Sequence, residues 1–473
     1  MTEHYPDPNT ARLALYLLCT VVFFAVVNGN MVNVALPFIG QHFEVTEGTY
    51  GWLVTGFSLT FAIFSAVHGR LANRVGLRRL YAMGVIVLGG LSLLLAFAPT
   101  IELAIAMRIF QGAGSAALPA MGTVVIARLF PPERRGEAMG MILASVGVAA
   151  SIGPFLGGLL VELGGWRLVF AATGLVLFAL PFIFRLLPES LDETYKEPFD
   201  TLGAVLLTGG ASALLYSFNV IERLGPGWEF FSLLAGGLFL LLVLWWRISR
   251  IEDPFVDPKL FADFRFVVNS AVAFLVNATR FGTIVLVPIF LIEVNQVSPL
   301  VVGIVLLPGA LFIAFLSTPA GRVADNYGAR RPVAVGAILV IAGNIITALT
   351  AGISVLGSAI GMGLYGLGFA LIQSPIVSAT SQILSRRHGG PGMGIFMMIF
   401  FLGGAFGVAL SVTVVEIQSP ETAAWFGSQV GGGALYSNAI FSLTFLAIIA
   451  LLLTPKVPGY RPLPPDEYEF QEN

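Results

Sequence analysis

Two arginines stand inside long apolar segments of this sequence, where charged side chains are rare. Arg108 lies within segment 103–127, and Arg280 lies within segment 266–292. A guanidinium at the centre of a lipid bilayer costs about 2.5–3.5 kcal/mol on insertion scales, so it must face water or polar partners. Gln111 follows Arg108 by three residues and therefore shares its helix face. The pair predicts a polar contact inside a helix bundle.

Each arginine has a functional and a structural interpretation. Arg108 is a candidate functional group, or it anchors the bundle by donating to carbonyls near Asn30 or Asn33. Arg280 attracts the anionic group of a ligand, pairs with a carboxylate, or is a water-facing charge near a helix break. Polar uncharged residues in the apolar segments should also seek partners or water, because unsatisfied burial is costly. The candidates for the lining of a cavity are Asn30, Asn33, Arg108, Gln111, Asn277, Arg280 and Gln373.

Carboxylates are absent from the middle of every apolar segment. A desolvated carboxylate is the group that usually exchanges a proton inside a membrane protein. Here acidic residues occur only near segment ends, and Glu222 and Glu293 are the candidates among them. The single cysteine and four scattered histidines form no metal-ligand pattern, and no catalytic triad or phosphate-binding loop is visible. We therefore expect no enzymatic activity, no cofactor and no metal site.

The composition indicates that the apolar segments are membrane helices. The 473 residues are 56% hydrophobic and 11% charged, whereas soluble domains carry about 25% charged residues. A helix needs about 20 apolar residues to cross a bilayer. Segments of that length number fourteen when 332–385 is divided in two near residues 352–357. We expect an all-α integral membrane protein with fourteen transmembrane helices.

Basic residues fall in every second segment between these spans. Examples are Arg128, Arg250 and Arg322, which follow the fourth, eighth and tenth spans. Because basic loops stay in the cytoplasm, both termini are predicted to be cytoplasmic in a multi-pass protein of the cell (plasma or inner) membrane. Residues 456–473 are rich in proline and then acidic, which predicts a disordered cytoplasmic tail.

A short segment occurs twice, 252 residues apart. Residues 69–79 and 321–331 are identical at six of eleven positions, and each follows an apolar span. Such duplication indicates two related helix bundles that move around a site between them. A basic loop that only sets the topology is the structural alternative. The positions concerned are Gly69, Arg70, Asn73, Gly76 and Arg78 in the first copy, and Gly321, Asp325, Gly328 and Arg330 in the second.

The fifth span is rich in small residues. Gly153 and Gly157 are four residues apart, a spacing that lets helices approach closely. Gly147 lies earlier in the same span. Pro154 removes a backbone hydrogen bond and permits a bend. The pattern predicts either a close contact that closes one side of a cavity or ordinary tight packing.

Together these segments resemble the major facilitator superfamily, and within it the fourteen-helix drug:proton antiporters of the tetracycline and multidrug efflux type. The resemblance covers nearly the whole chain and is carried by the duplicated loop and by Asn30–Pro37, Arg108–Gly114 and Gly147–Gly158. The sequence departs from many relatives by having Asn30 and Asn73 at positions of aspartate. The implied organisation is a six-helix bundle in 1–190, two inserted transmembrane helices and a linker in 191–262, a second six-helix bundle in 263–455 and the tail in 456–473.

The resemblance implies a secondary transporter that exports amphipathic small molecules, such as drugs and antibiotics, by alternating access and proton antiport. It also implies a role in proton coupling for Arg108, alongside the candidates Glu222 and Glu293. A lipid or glycolipid flippase of the same fold is one alternative, and a transport-inactive receptor is another. We expect a monomer whose partners are the amphipathic substrate, protons and membrane lipids, with no nucleic acid.

The duplication predicts that the two copies of the loop lie on the same side of the membrane. With Cys19 changed to Ser, we expect Arg79→Cys and Arg331→Cys to resist a membrane-impermeant maleimide in intact cells. Thr100→Cys, in a loop of opposite side, should react under the same conditions. Labelling of positions 79 and 331 from opposite sides would contradict the duplication and the topology together.

Overall fold

The protein folds into a bundle of helices in a computed structural model, which describes residues 7–130, 132–187, 200–224, 227–251, 258–384, 389–419, 421–427 and 431–457. Eleven helices in this described part are long and apolar enough to cross a membrane, which confirms the all-α membrane architecture. The helices are α1 (Pro8–Phe43), α2 (Glu47–Val75), α3 (Leu77–Leu95), α4 (Ile101–Ser115 and Ala117–Leu129), α5 (Pro132–Gly164), α6 (Trp166–Gly174 and Leu180–Leu186), α7 (Thr201–Leu224), α8 (Trp228–Ile248), α9 (Phe264–Glu293), α10 (Pro299–Tyr327), α11 (Arg330–Thr350), α12 (Val355–Ile383), α13 (Gly389–Glu416) and α14 (Gly432–Leu453).

Two spans that the sequence predicts as continuous are interrupted. Helix α4 breaks at Ala116, and α6 contains a 3-10 turn, Leu175–Ala179, between its two parts. Both interruptions lie just before a proline, Pro119 in α4 and Pro181 in α6. Proline lacks the N–H that would bond to the carbonyl four residues earlier, so the helix is weakened in the turn that precedes it. The long segment 332–385 divides as expected, because α11 ends at Thr350 and α12 begins at Val355.

The two copies of the repeat have the same backbone geometry. Helices α2 and α10 begin and end 252 residues apart. Gly76 follows α2 with φ 89°, and Gly328 follows α10 with φ 85°, a region that side chains with a Cβ rarely adopt. The first arginine after each glycine also plays the same part: Arg78 donates to the carbonyl of Phe184 at 2.8 Å, and Arg330 donates to the carbonyl of Val457 at 3.1 Å. Each arginine therefore ties its turn to the C-terminal end of the last helix of its half.

The helices pack as two halves with matching neighbours. Helix α1 packs on α5 as α9 packs on α13, and α2 packs on α4 as α10 packs on α12. Two seams join the halves, one between α2 and α13 and the other between α5 and α10. The pair α7 and α8 packs together, and α7 lies against α2 and α13, so the additional pair covers the first seam. Arg247 of α8 holds the start of α7 through an ion pair with Asp200 at 2.9 Å.

Glycines make the second seam close. A Cβ on Gly158 of α5 would lie 2.2 Å from the carbonyl oxygen of Pro299, and one on Gly303 of α10 would lie 2.7 Å from the Cα of Phe155. Neither helix could carry a larger residue there without moving away. We call the end of the bundle that holds the turns at Gly76 and Gly328 the near end, and the opposite end, where α5 meets the start of α10, the far end.

The positive φ of Gly76 and Gly328 leads us to expect that alanine at either position destabilises the protein. Gly76→Ala and Gly328→Ala should each lower the free energy of unfolding by about 1–3 kcal/mol, because a Cβ strains this backbone region. The measurement is the thermal midpoint of the purified protein in detergent. Gly90→Ala is the matched control, since its added Cβ would meet no atom within 4 Å. Equal midpoints for all three variants would contradict the assignment of strain.

Candidate functional site

Arg108 is buried at 1% exposure, and its hydrogen-bond partners are neutral groups. Its Nε donates to the carbonyl of Leu53 at 3.0 Å, and its Nη1 donates to Asn28 Oδ1 at 2.8 Å and to the side-chain oxygen of Gln111. The ring of Phe57 lies 4.2 Å from the guanidinium carbon. These contacts tie α4 to α1 and α2, so the geometry favours an anchoring role. The partners are Asn28 and Leu53 and not the groups near Asn30 or Asn33 that the sequence suggests.

Gln111 extends the same network to α3. Its amide donates to the carbonyl of Leu88 at 2.9 Å and to Ser92 Oγ at 2.7 Å. Asn28 in turn donates to Thr173 Oγ1 of α6 at 3.1 Å. Neutral polar groups therefore solvate the one charge inside the first half, as a buried charge requires.

Arg280 has very different surroundings in the second half. Its side chain is half-buried, and the guanidinium carbon lies 4.6 Å from the ring centre of Phe369 and 5.6 Å from that of Phe281. Among the residues that the structure describes, no hydrogen bond or ion pair of Arg280 is found. The buried phenol of Tyr365 is near enough to interact with the guanidinium electrostatically. The carboxylate partner that the sequence left open is therefore not seen in the described part.

The other predicted cavity residues differ in burial and in their hydrogen-bond partners. Asn33 and Asn277 are buried, and Asn277 donates to the carbonyl of Phe400 at 2.7 Å. Asn30 is half-buried and donates to the carbonyl of Val26 in its own helix at 2.8 Å. Gln373 is half-buried on α12. Helical burial depends on the neighbouring helices, which the residue type alone does not reveal.

The far end holds a polar contact between the halves. Tyr436 of α14 donates to Glu293 Oε2 of α9 at 2.9 Å and also contacts the carboxylate of Glu47 at the start of α2. A second contact joins the backbone N–H of Gly48 to the carboxylate of Glu416 at the end of α13. Glu293, a candidate from the sequence, thus takes part in a contact between the two halves.

The motif glycines of the fifth span lie against α1. A Cβ on Gly153 would lie 2.7 Å from Asn30 Cβ, and one on Gly157 would lie 2.8 Å from the Cα of Met31. Pro154 is inside α5, and its carbonyl oxygen faces Gly303 across the second seam. In α10, a Cβ on Gly321 would meet Ser374 Oγ of α12 at 2.5 Å.

Several predicted residues lie where the structure describes the helix but not the side chain. These are Arg70 and Asn73 in α2, Glu222 in α7 and Asp325 in α10, and Gly69 and Gly147 fall in the same category. Two participants were missed by sequence reasoning, namely Glu47 and Tyr436. A signal existed for Glu47, which precedes an apolar span just as Glu293 ends one, but nothing in the sequence pairs either with Tyr436.

The paired halves, the two seams and the buried charges define an α-helical membrane transporter. The profile of the Major Facilitator Superfamily matches residues 18–408 and 270–469. The chain belongs to the Major Facilitator Superfamily and is a secondary transporter, not an enzyme.

Relatives and solved structures agree with this family. The chain is 29% identical to the multidrug resistance protein Stp of Mycobacterium tuberculosis (strain CDC 1551 / Oshkosh), over 86% of this chain and 76% of Stp. It is 26% identical to the riboflavin transporter RibZ of Clostridioides difficile (strain 630), over 93% of this chain and 96% of RibZ. A bacterial homologue of the human lysosomal transporter Spinster, solved in an inward-facing and occupied conformation, shares the fold with a TM-score of 0.69 at 15% identity, covering 97% of this chain and 100% of that one.

Because Arg108 is hydrogen-bonded and Arg280 is not within the described residues, we expect their substitution to affect stability differently. Arg108→Gln should lower the free energy of unfolding by at least about 2 kcal/mol, because it leaves buried acceptors on Asn28 and Leu53 without their donor. Arg280→Gln should change it by less than about 1 kcal/mol, since it removes no hydrogen bond within the described residues. Thermal unfolding of both variants in the same detergent tests this. A larger loss for Arg280→Gln than for Arg108→Gln would contradict the comparison.

Proposed function

We propose that this protein exports amphipathic small molecules in exchange for protons, by alternating access between its two halves. The proposal assigns it to the fourteen-helix drug:proton antiporters and places it in the cell membrane with both termini in the cytoplasm. The far end then faces outward. Support comes from the additional pair α7 and α8, from the repeated turns at Gly76 and Gly328, and from relatives named as a multidrug resistance protein and a riboflavin transporter.

The observation that carries the proton part is the contact among Glu47, Tyr436 and Glu293. A phenol has one proton to donate, yet two carboxylates from opposite halves approach this hydroxyl. A proton on either carboxylate supplies the second hydrogen bond and removes the repulsion between the two charges. In this proposal, closure of the far end is therefore coupled to a bound proton.

This linkage gives the exchange a direction. With the far end open, the carboxylates meet the outer solution and take up a proton, which then allows the seam to close. Without the proton, two negative charges oppose closure. A transporter that returns from its open state only when protonated moves protons inward as it exports substrate.

Reconstituted vesicles test the proposal. We expect a pH-sensitive dye trapped inside proteoliposomes to report proton movement when members of a panel of neutral, anionic and cationic aromatic compounds are added. Glu293→Gln and Tyr436→Phe should reduce that movement at least about tenfold, as expected from the loss of a charge-assisted hydrogen bond worth about 1.5–3 kcal/mol.

Glu102→Gln is the matched control, because Glu102 is exposed in the first turn of α4 at the same end of the bundle. It should behave as the wild type. Transport by the wild type without any proton movement would overturn the antiport proposal. Full proton movement in Glu293→Gln would overturn the assignment of the site.

A further inference from the structure

We infer that Arg280 and Tyr365 form a binding site for the anionic group of the transported molecule, so that this protein prefers amphipathic anions. The inference rests on the proposed export function and adds the charge of the substrate to it. It starts from an imbalance of charge in the sequence. Arg108 and Arg280 are the arginines in the middle of apolar segments, and no aspartate or glutamate stands in the middle of any such segment.

The two arginines differ in how their charge is satisfied. Arg108 is enclosed at 1% exposure and donates to three acceptors of the protein, so a ligand cannot reach it without displacing packed helices. Arg280 is half-buried, and no hydrogen bond of its guanidinium is found in the part of the chain that the structure describes. An unneutralised guanidinium inside a membrane protein is costly, and an anionic ligand would remove that cost.

Aromatic rings hold the Arg280 guanidinium by its face. Phe369 lies 4.6 Å and Phe281 lies 5.6 Å from the guanidinium carbon. Stacking of this kind positions the planar group and leaves its N–H edges available. Those edges match the two oxygens of a carboxylate, sulfonate or phosphate. The partly exposed ring of Phe281 offers an apolar contact to the rest of an amphipathic molecule.

Tyr365 supplies an independent observation. It is 3% exposed, and its hydroxyl makes no hydrogen bond to the residues that the structure describes. A buried hydroxyl without a partner is costly, so it calls for a group to bond. Tyr365 and Phe369 are four residues apart on α12 and share the face that lies near Arg280. A charged donor and a neutral donor thus lie near each other, as the recognition of an anion requires.

The electrostatic preference follows from the setting. In a medium of low dielectric constant, a positive charge attracts an anion and repels a cation much more strongly than in water. A neutral analogue would keep the apolar contact with Phe281 but lose the charge-assisted hydrogen bonds. The expected order of affinity is therefore anion, then neutral molecule, then cation.

Three probes that share one ring system test this order: 2-naphthoate, 2-naphthamide and 2-naphthylmethylammonium. Binding is measured by equilibrium dialysis of the full-length protein in phosphatidylcholine nanodiscs. We expect naphthoate to bind at least about tenfold more tightly than naphthamide, the factor that corresponds to one charge-assisted hydrogen bond. Arg280→Gln should abolish the difference and leave naphthamide binding within about twofold. Tyr365→Phe, which removes only the hydroxyl, should reduce the preference for naphthoate over naphthamide about threefold or more.

Arg280→Lys keeps the charge without the planar fork and should retain a weaker preference for the anion. Thermal midpoints of each variant confirm that it is folded. Failure of the wild type to prefer naphthoate, or an unchanged preference in Arg280→Gln, overturns the inference. Nanodiscs containing phosphatidylglycerol separate the sources of the anion. Loss of naphthoate binding there means that an anionic lipid headgroup occupies the site, whereas unchanged binding means that the site serves soluble anions.

The inference and the proposed export function fail in different ways. Export of neutral or cationic compounds with proton movement, together with no anion preference, would remove the inference alone. An Arg280-dependent preference for naphthoate in a protein that moves no protons would remove the antiport proposal and keep the anion site.

Discussion

The bilayer interior offers no water to pair with a charge or a backbone group. This constraint governs both the helical backbone and the buried charge of this protein. Helices satisfy their own backbone, which explains why α-helices make up the described bundle. Where proline interrupts the pattern, in α4 and α6, the helix breaks and resumes in the same direction. The buried guanidinium of Arg108 is solvated by Asn28, Gln111 and a main-chain carbonyl in place of water.

The same constraint leaves little driving force for helix association other than close packing. The second seam therefore depends on small residues, with Gly158 and Gly303 facing the backbone of the opposite helix. The first seam also contains large apolar side chains, such as Phe61 of α2 against Phe401 of α13. The polar contacts at the far end, around Tyr436 and Glu416, add hydrogen bonds between the two halves.

The two arginines have different surroundings in the two halves. In the first half, Arg108 is buried and bonded to neutral groups, whereas in the second half Arg280 is half-buried beside Tyr365 and Phe369. The halves share a repeat, but they do not share this chemistry. Duplicated scaffolds with divergent interiors can bind an asymmetric molecule while both halves keep the same motion. In the proposed mechanism, the far-end carboxylates bind the proton and Arg280 binds the transported molecule.

The sequence by itself determined the membrane class, the division of 332–385 into two helices and the repeat, because these depend on local hydropathy and on glycines at turns. Gly76 and Gly328 were identifiable since only glycine tolerates their φ values. The tertiary structure alone decided which polar residues meet. Asn28 and not Asn30 or Asn33 bonds Arg108, and Tyr436 joins Glu47 to Glu293 across residues far apart in the chain. Such partners are set by how helices rotate and pack against one another, and hydropathy carries no information about that rotation within an almost uniformly apolar sequence.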